Sequence, residues 1–203
     1  MNNSQHNILS VADEGSLLLL RKIAPLESLL TIATESDLAA IEGFTSASRQ
    51  AERLAWRIMV RESLGREINI EYTENGIPKI IDPLYKHISV SHCSDMVMVV
   101  LSQRKCGVDI ERLDRPFEKL ATRYLSHEEQ NFATQNIERA AIWCAKETLY
   151  KLANEKGLDL RADIQISALD LGEGRITGRI KDGKPIIMHI MQPDKEHIAV
   201  YHI

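Results

Sequence analysis

The chain has 203 residues, of which 44% are hydrophobic and 27% are charged, which is typical of a globular protein with room for one large domain or two small ones. Its formal net charge of −4 argues against a broad basic surface for nucleic acid. Cys93, Cys106 and Cys144 share no metal-ligand spacing, and the apolar run at 17–20 is too short to span a membrane. With no recognisable signal peptide, we expect a soluble cytoplasmic protein that has reduced thiols and no membrane partner.

The first half of the chain predicts short strands around one long helix. Residues 1–15 are polar and are expected to be loosely ordered, and a turn is expected at 74–76. Gly65 closes the long helix. The predicted strands are 16–23, 68–72, 88–90 and 96–102. The predicted helices are 26–33 and 47–64, and between them lies a second short helix that is capped by Ser36-Asp37 and ended by Gly43.

The second half predicts a similar mixture of helices and strands. Residues 107–111 read as a strand that continues the sheet of the first half. A capping box, Ser126 with Glu129, opens one helix. Another predicted helix, 117–124, follows a break at Arg115-Pro116, and the last one, 138–155, stops near Gly157. The predicted strands are 164–171, 175–181, 185–191 and 198–203.

The two halves repeat the same order of elements. Each contains a long helix with one tryptophan, Trp56 or Trp143, and a closing glycine, followed by strands and an apolar terminal ladder. This order favours an α/β (α+β) fold with pseudo-repeat halves at 1–104 and 105–203. Such halves would pack about a pseudo-twofold axis and leave a cleft between them. The alternative is a coincidence of generic α+β ordering.

Two stretches bring acidic side chains into register. On the helix, Trp143, Glu147 and Lys151 lie on one stripe, opposite an apolar stripe that contains Ala145 and Leu149. On the strand Gly107-Val108-Asp109-Ile110-Glu111, alternation sends Asp109 and Glu111 to the same face. Three carboxylates could therefore share one hard cation.

Simpler explanations exist for these acids. Asp109 and Glu111 could mark an exposed strand end, and Glu147 with Lys151 could be a surface pair that contributes about 0.2–0.5 kcal/mol. The combination favours a metal site. Oxygen ligands without cysteine or histidine favour Mg²⁺ or Mn²⁺ over Zn²⁺, and magnesium commonly takes substrate phosphates as further ligands. Lys151 would then meet a phosphate.

Four arginines recur at intervals of four residues on the helix 47–64. Arg49, Arg53, Arg57 and Arg61 either form a solvated basic face or an edge that docks a compact phosphate ligand. Ser91-His92 lies at a strand bend, where a lone histidine is more often structural than functional. The sequence contains no nucleophile elbow, P-loop or dinucleotide fingerprint, which excludes several common enzyme classes.

These motifs together resemble the 4′-phosphopantetheinyl transferase superfamily, in particular its Sfp-type members of about this length. The family pattern is a G-[VI]-D-[IV]-E strand followed by an F/W-[ST]-x-K-E-[AS]-x-x-K helix. The matching stretches here are Gly107 to Glu111 and Trp143 to Lys151. Ile88 to Cys93 matches the family's N-[IL]-S-H-S element, and Tyr124 to Glu129 is similar to its F-F-S-x-x-E element. The long helix 47–64, which carries the four arginines, is similar to the family's first-half helix.

The resemblance implies a function and a set of site residues. Asp109, Glu111 and Glu147 would bind Mg²⁺ with the pyrophosphate of coenzyme A, and Lys151, Ser91 and His92 would contact its phosphates. The phosphopantetheine arm would pass to a serine of an apo acyl or peptidyl carrier protein, releasing adenosine 3′,5′-bisphosphate. Glu147 or a metal-bound water would accept the proton. A monomer is also implied.

Some positions depart from the family pattern. The family often has G-K-P before the Ser-His strand, whereas Gly76-Ile77-Pro78-Lys79 has isoleucine in place of that lysine, which Lys79 would have to replace. Arg49 and Arg53 are the arginines assigned to coenzyme A. Two alternatives remain: a non-catalytic relative that binds coenzyme A or a carrier protein, and another metal-dependent phosphotransfer enzyme that uses a nucleotide.

Overall fold

The computed structural model describes residues 9–13, 15–73 and 76–203 and divides the chain into two compact units, 1–104 and 105–203. Helices and antiparallel sheets occur in both, which confirms the predicted α/β fold class. Part of the segment expected to be loosely ordered, residues 1–8 and 14, lies outside the described residues. The same is true of residues 74–75 in the expected turn. Residues 9–13 form a strand, so the expectation of loose order is wrong there.

The N-terminal unit places one long helix on a four-stranded antiparallel sheet, as far as its described residues show. The sheet order is β1-β2-β6-β5, and β3 and β4 form a separate antiparallel pair. The strands are β1 (Leu9–Asp13), β2 (Ser16–Lys22), β3 (Asn69–Tyr72), β4 (Pro78–Ile81), β5 (His87–His92) and β6 (Met96–Ser102). The helices are α1 (Leu26–Leu30), α2 (Glu35–Ala39) and α3 (Ala47–Leu64).

Helix α3 has the predicted bounds because both of its ends carry strong signals. Ser46 caps its first turn by accepting from the backbone N–H of Arg49, and Gly65 ends it in the left-handed region at φ 63°. Its apolar face, including Leu54 and Ile58, packs with residues of the sheet into one hydrophobic core.

Three details of the first half differ from the prediction. Helix α1 ends at Leu30, and β4 was not predicted. Helix α2 is capped by Thr34, not by Ser36-Asp37. Thr34 Oγ1 accepts from the Asp37 N–H and the Asp37 carboxylate accepts from the Thr34 N–H, so Asp37 is the third residue of a capping box.

The C-terminal unit places its longest helix on a five-stranded antiparallel sheet with the order β7-β11-β10-β9-β8 within the described chain. The strands are β7 (Gly107–Arg112), β8 (Ile164–Asp170), β9 (Arg175–Ile180), β10 (Ile186–Met191) and β11 (His197–His202). The helices are a 3₁₀ turn (Phe117–Leu120), α4 (Ala121–Tyr124), α5 (His127–Phe132) and α6 (Asn136–Ala153).

Two predictions for this unit are corrected. β7 does not continue the sheet of the first half, because it pairs with β11, where Asp109 lies opposite Val200. Helix α6 stops at Ala153, since Asn154 takes the left-handed conformation at φ 51°, and Gly157 lies beyond the helix. The capping box of Ser126 and Glu129 on α5 is confirmed.

Close packing of α6 on β7 depends on a glycine. A Cβ added to Gly107 would lie 2.6 Å from the carbonyl oxygen of Thr148 on α6, so a side chain at 107 would push the two elements apart. The predicted apolar stripe is confirmed, since Ala145 and Leu149 are fully buried in the core of this unit. Across the described residues, no helix is both long and apolar enough to cross a membrane.

Candidate active site

Three carboxylates are carried by β7 and by α6, which packs on it, in the C-terminal unit. Asp109 and Glu111 alternate along β7 with the buried Val108 and Ile110, and α6 supplies Glu147. The side chain of Asp109 is 9% exposed and that of Glu111 is 18% exposed. The alternative of an exposed strand end therefore does not describe these two acids.

Lys151 joins the two elements across this site. Its Nζ donates to Asp109 Oδ1 at 2.9 Å and to the carbonyl oxygen of Val108 at 2.7 Å. The ammonium is thus paired with the strand, and not with Glu147 one turn earlier as in the surface-pair alternative. This places a cation directly beside the acidic group.

Glu111 is held by two donors and still carries a perturbed pKa. Trp143 Nε1 donates to Glu111 Oε1 at 2.9 Å, and Arg115 Nη1 donates to the same oxygen. Burial and the negative charge of Asp109 raise the pKa of Glu111 to about 7, against the opposing effects of Arg115 and Trp143. Burial, followed by Asp109, also raises the pKa of Glu147, although Lys151 and Arg115 oppose the shift.

Burial is the largest cause of both raised pKa values, and the negative charge of Asp109 is the next. An all-oxygen donor set with excess negative charge is suited to a hard divalent cation such as Mg²⁺ or Mn²⁺. Asp109, Glu111 and Glu147 therefore fit such an ion by their chemistry.

The N-terminal unit contains a second polar feature, a pocket of about 160 Å³. Its lining residues are Phe44, Arg49, Glu52, Arg53, Trp56, Gly76, Pro78, Val90 and His92. The Arg53 guanidinium lies over the Tyr72 ring at 4.4 Å, and His92 Nε2 lies 3.5 Å from Glu52 Oε2. The pocket thus combines positive charge with aromatic walls, which suits a compact anion.

The four arginines of α3 have two separate environments. Arg57 is 2% exposed, and its Nε donates to Asp37 Oδ1 at 2.9 Å, while Arg61 lies 3.3 Å from Asp37 Oδ2. These two arginines hold α2 against α3, whereas Arg49 and Arg53 line the pocket. A uniformly solvated basic face is therefore not what the helix presents.

The structure does not bring every residue assigned to coenzyme A into this pocket. Val90 and His92 line it, so alternation along β5 directs the buried Ser91 to the opposite face. Lys79 is exposed on β4 opposite Glu71, while its neighbour Pro78 lines the pocket.

The comparison with protein families matches the second unit. Residues 105–200 match the model of the 4′-phosphopantetheinyl transferase superfamily. The match covers nearly all of the C-terminal unit. The resemblance predicted from the motifs is thereby confirmed at the level of the superfamily, and it supports a transferase. No curated protein matches the sequence at a significant level.

The C-terminal unit contains a buried ion pair that the sequence analysis did not assign. Lys146 is fully buried and donates to Glu129 Oε2 at 2.7 Å and to the carbonyl oxygens of Leu160 and Ile164. Glu129 Oε1 in turn accepts from the Ile166 N–H at 2.7 Å. Burial lowers the pKa of Lys146, and Glu129 opposes that shift. The pair joins α5, α6 and β8.

A sequence signal for this ion pair did exist. Lys146 lies three residues before Leu149 and four after Ile142 on the apolar stripe of α6, where a lysine is almost never buried without a partner. Arg115, by contrast, has no comparable signal. Its role depends on the position of Glu111 and Trp143, which only the folded domain defines.

Proposed function

We propose that this protein is an Sfp-type, Mg²⁺-dependent 4′-phosphopantetheinyl transferase. It would transfer the phosphopantetheine arm of coenzyme A to a serine of an apo acyl or peptidyl carrier protein and release adenosine 3′,5′-bisphosphate. The observation that carries the proposal is the group Asp109, Glu111, Glu147 and Lys151, gathered on β7 and α6 of a domain that matches this superfamily.

Asp109, Glu111 and Glu147 would hold the metal ion in this proposal. When bound, Mg²⁺ neutralises charge on the pyrophosphate and on the phosphoryl group as it is transferred. The fit rests on the all-oxygen donor chemistry, in a site where burial and the charge of Asp109 raise the pKa of Glu111 and of Glu147.

Lys151 and Glu147 would carry the catalytic roles of the chain itself. The ammonium of Lys151, already 2.9 Å from Asp109, stabilises the negative charge that grows on the leaving phosphate. Glu147, whose pKa is raised by burial, accepts the proton of the carrier serine. The serine oxygen forms a bond to the transferred phosphorus while the bond from that phosphorus to the bridging oxygen breaks.

The pocket of the N-terminal unit would bind a phosphate of coenzyme A. Arg49, Arg53 and His92 supply its positive and donor groups, and Arg53 is held among aromatic rings that limit its rotamers. In this proposal Ser91 and Lys79 do not line the pocket, so their contribution to binding is expected to be smaller than that of Arg49.

Intact-mass spectrometry tests the reaction directly. The protein is incubated with coenzyme A, Mg²⁺ and a panel of apo carrier proteins, with an EDTA control. We expect one phosphopantetheine arm to be added to a carrier, and chelation to abolish the addition. The variants Asp109→Asn, Glu147→Gln and Lys151→Met should lose turnover while keeping the fold, with Arg123→Gln, an exposed arginine, as the control that keeps it.

Three outcomes would contradict the proposal. Coenzyme A binding without transfer to any carrier would favour the non-catalytic relative. Tighter binding of ATP than of coenzyme A, measured by calorimetry, would favour a nucleotide-dependent phosphotransfer enzyme. Full activity of Asp109→Asn and Glu147→Gln would remove the carboxylates from the mechanism.

A further inference from the structure

Glu111 receives both of its hydrogen bonds on the same oxygen. Trp143 Nε1 and Arg115 Nη1 donate to Oε1, and among the described residues no hydrogen bond reaches Oε2. A glutamate side chain has several rotatable bonds, so two fixed donors on one oxygen select a single orientation and leave the other oxygen available.

The two donors are themselves held by aromatic rings of the C-terminal unit. The Arg115 guanidinium lies 4.8 Å from the centre of the Trp143 ring and 5.2 Å from that of Phe117. Trp143 meets the fully buried Tyr124 edge to face, at 5.1 Å and 88°. The Tyr124 hydroxyl donates to the carbonyl oxygen of Arg139 at 3.0 Å, and this hydrogen bond holds the Tyr124 ring against α6.

We infer that Arg115 and Trp143 are positioning residues that clamp Glu111 Oε1 and thereby present Oε2 to the cation at the carboxylate group. The inference rests on the proposed function, which makes Glu111 a metal ligand. Groups that orient a ligand typically change metal affinity by about 10–100-fold when they are removed. Neither residue touches the reacting atoms in this scheme, so their effect passes through Glu111.

The sign of the change in affinity separates positioning from charge compensation. If Arg115 only offsets negative charge, its removal leaves the site more negative and a divalent cation binds more tightly. If Arg115 positions Glu111, its removal weakens binding. Trp143→Phe provides an independent test, because it keeps an aromatic ring and the net charge but removes the N–H donor.

The experiment is a Mn²⁺ titration of the full chain, with free Mn²⁺ counted by electron paramagnetic resonance and without coenzyme A. We expect Arg115→Gln and Trp143→Phe each to weaken Mn²⁺ binding by about tenfold or more. Arg123→Gln, which removes an exposed arginine, should bind as the wild type does. Circular dichroism of each variant checks that the fold is retained, and Arg115→Gln keeps the test valid if Trp143→Phe unfolds.

Unchanged or tighter Mn²⁺ binding by Arg115→Gln would overturn the inference even if the wild type transfers the phosphopantetheine arm. Weaker binding by both variants would support it even if no carrier is modified, in which case only the proposed function fails. A wild-type protein that binds no Mn²⁺ would overturn the metal assignment together with the clamp.

Discussion

Replacing Glu111 by glutamine should make the stability of the C-terminal unit less dependent on pH. The pKa of Glu111 is raised from 4.5 to about 7, mainly because the carboxylate is buried and close to Asp109. The folded chain therefore binds more protons than the unfolded chain between those two values. By linkage, the free energy of unfolding falls as pH rises through this window and stays low above it.

The expected size follows from the shift. At roughly 1.4 kcal/mol per pH unit, the change from 4.5 to about 7 corresponds to a loss of about 2–3 kcal/mol between pH 5 and pH 8. Glu111 is 18% exposed, so little of this is removed by solvent screening. Glutamine can still accept from Trp143 and Arg115 but has no charge to bury. Relative to the wild type, Glu111→Gln should therefore gain about 2–3 kcal/mol in the free energy of unfolding between pH 5 and pH 8.

Urea unfolding at both pH values in EDTA measures this difference. The sequence has two tryptophans, so a Trp56→Phe background leaves Trp143 as a fluorescence reporter of the C-terminal unit. An identical stability difference at pH 5 and pH 8 would refute the reasoning. Adding Mg²⁺ at pH 8 should stabilise the parent protein more than Glu111→Gln, because the variant keeps only two of the three carboxylates proposed to hold the ion.

Further substitutions test other parts of the structure. Lys146→Met should destabilise the C-terminal unit by about 3–5 kcal/mol in urea unfolding, because Glu129 would stay buried without its cation; a double variant that also carries Glu129→Gln should recover part of the loss. Arg57→Gln should cost a similar amount, whereas Arg49→Gln on the same helix should change stability by less than about 0.5 kcal/mol. Coenzyme A affinity, measured by calorimetry, should respond the other way round. Arg49→Gln should weaken it by about tenfold or more, and Arg57→Gln should affect it less. Gly107→Ala should lower the unfolding free energy by about 1–3 kcal/mol, since its Cβ would meet the α6 backbone at 2.6 Å. A variant as stable as the wild type would show that β7 can shift away from α6 at little cost.

Most element bounds were predictable because local signals determine them. The cap at Ser46 and the left-handed Gly65 place both ends of α3 where the sequence predicts them. The sheet that β7 joins was predicted wrongly, because strand partners are chosen by residues far away in the chain. In this case the partner is β11, and a local apolar pattern carries no information about it.

The arginine helix shows the same division between local and distant information. Spacing by four identified the arginines of α3 as a group, but burial of Arg57 depends on Asp37, which lies 20 residues earlier in the chain. Which arginines are structural and which remain at the pocket was therefore decided by how α2 packs on α3.

The sequence alone determined which chemical groups are present and their spacing. Strand alternation paired Asp109 with Glu111, and helical periodicity aligned Trp143, Glu147 and Lys151. Only the tertiary structure decided that Lys151 pairs with Asp109 and that Arg115 and Trp143 share one oxygen of Glu111. These contacts join residues on separate elements. The pKa values of Glu111 and Glu147 are raised by burial and by the charge of Asp109, which act only when the chain is folded.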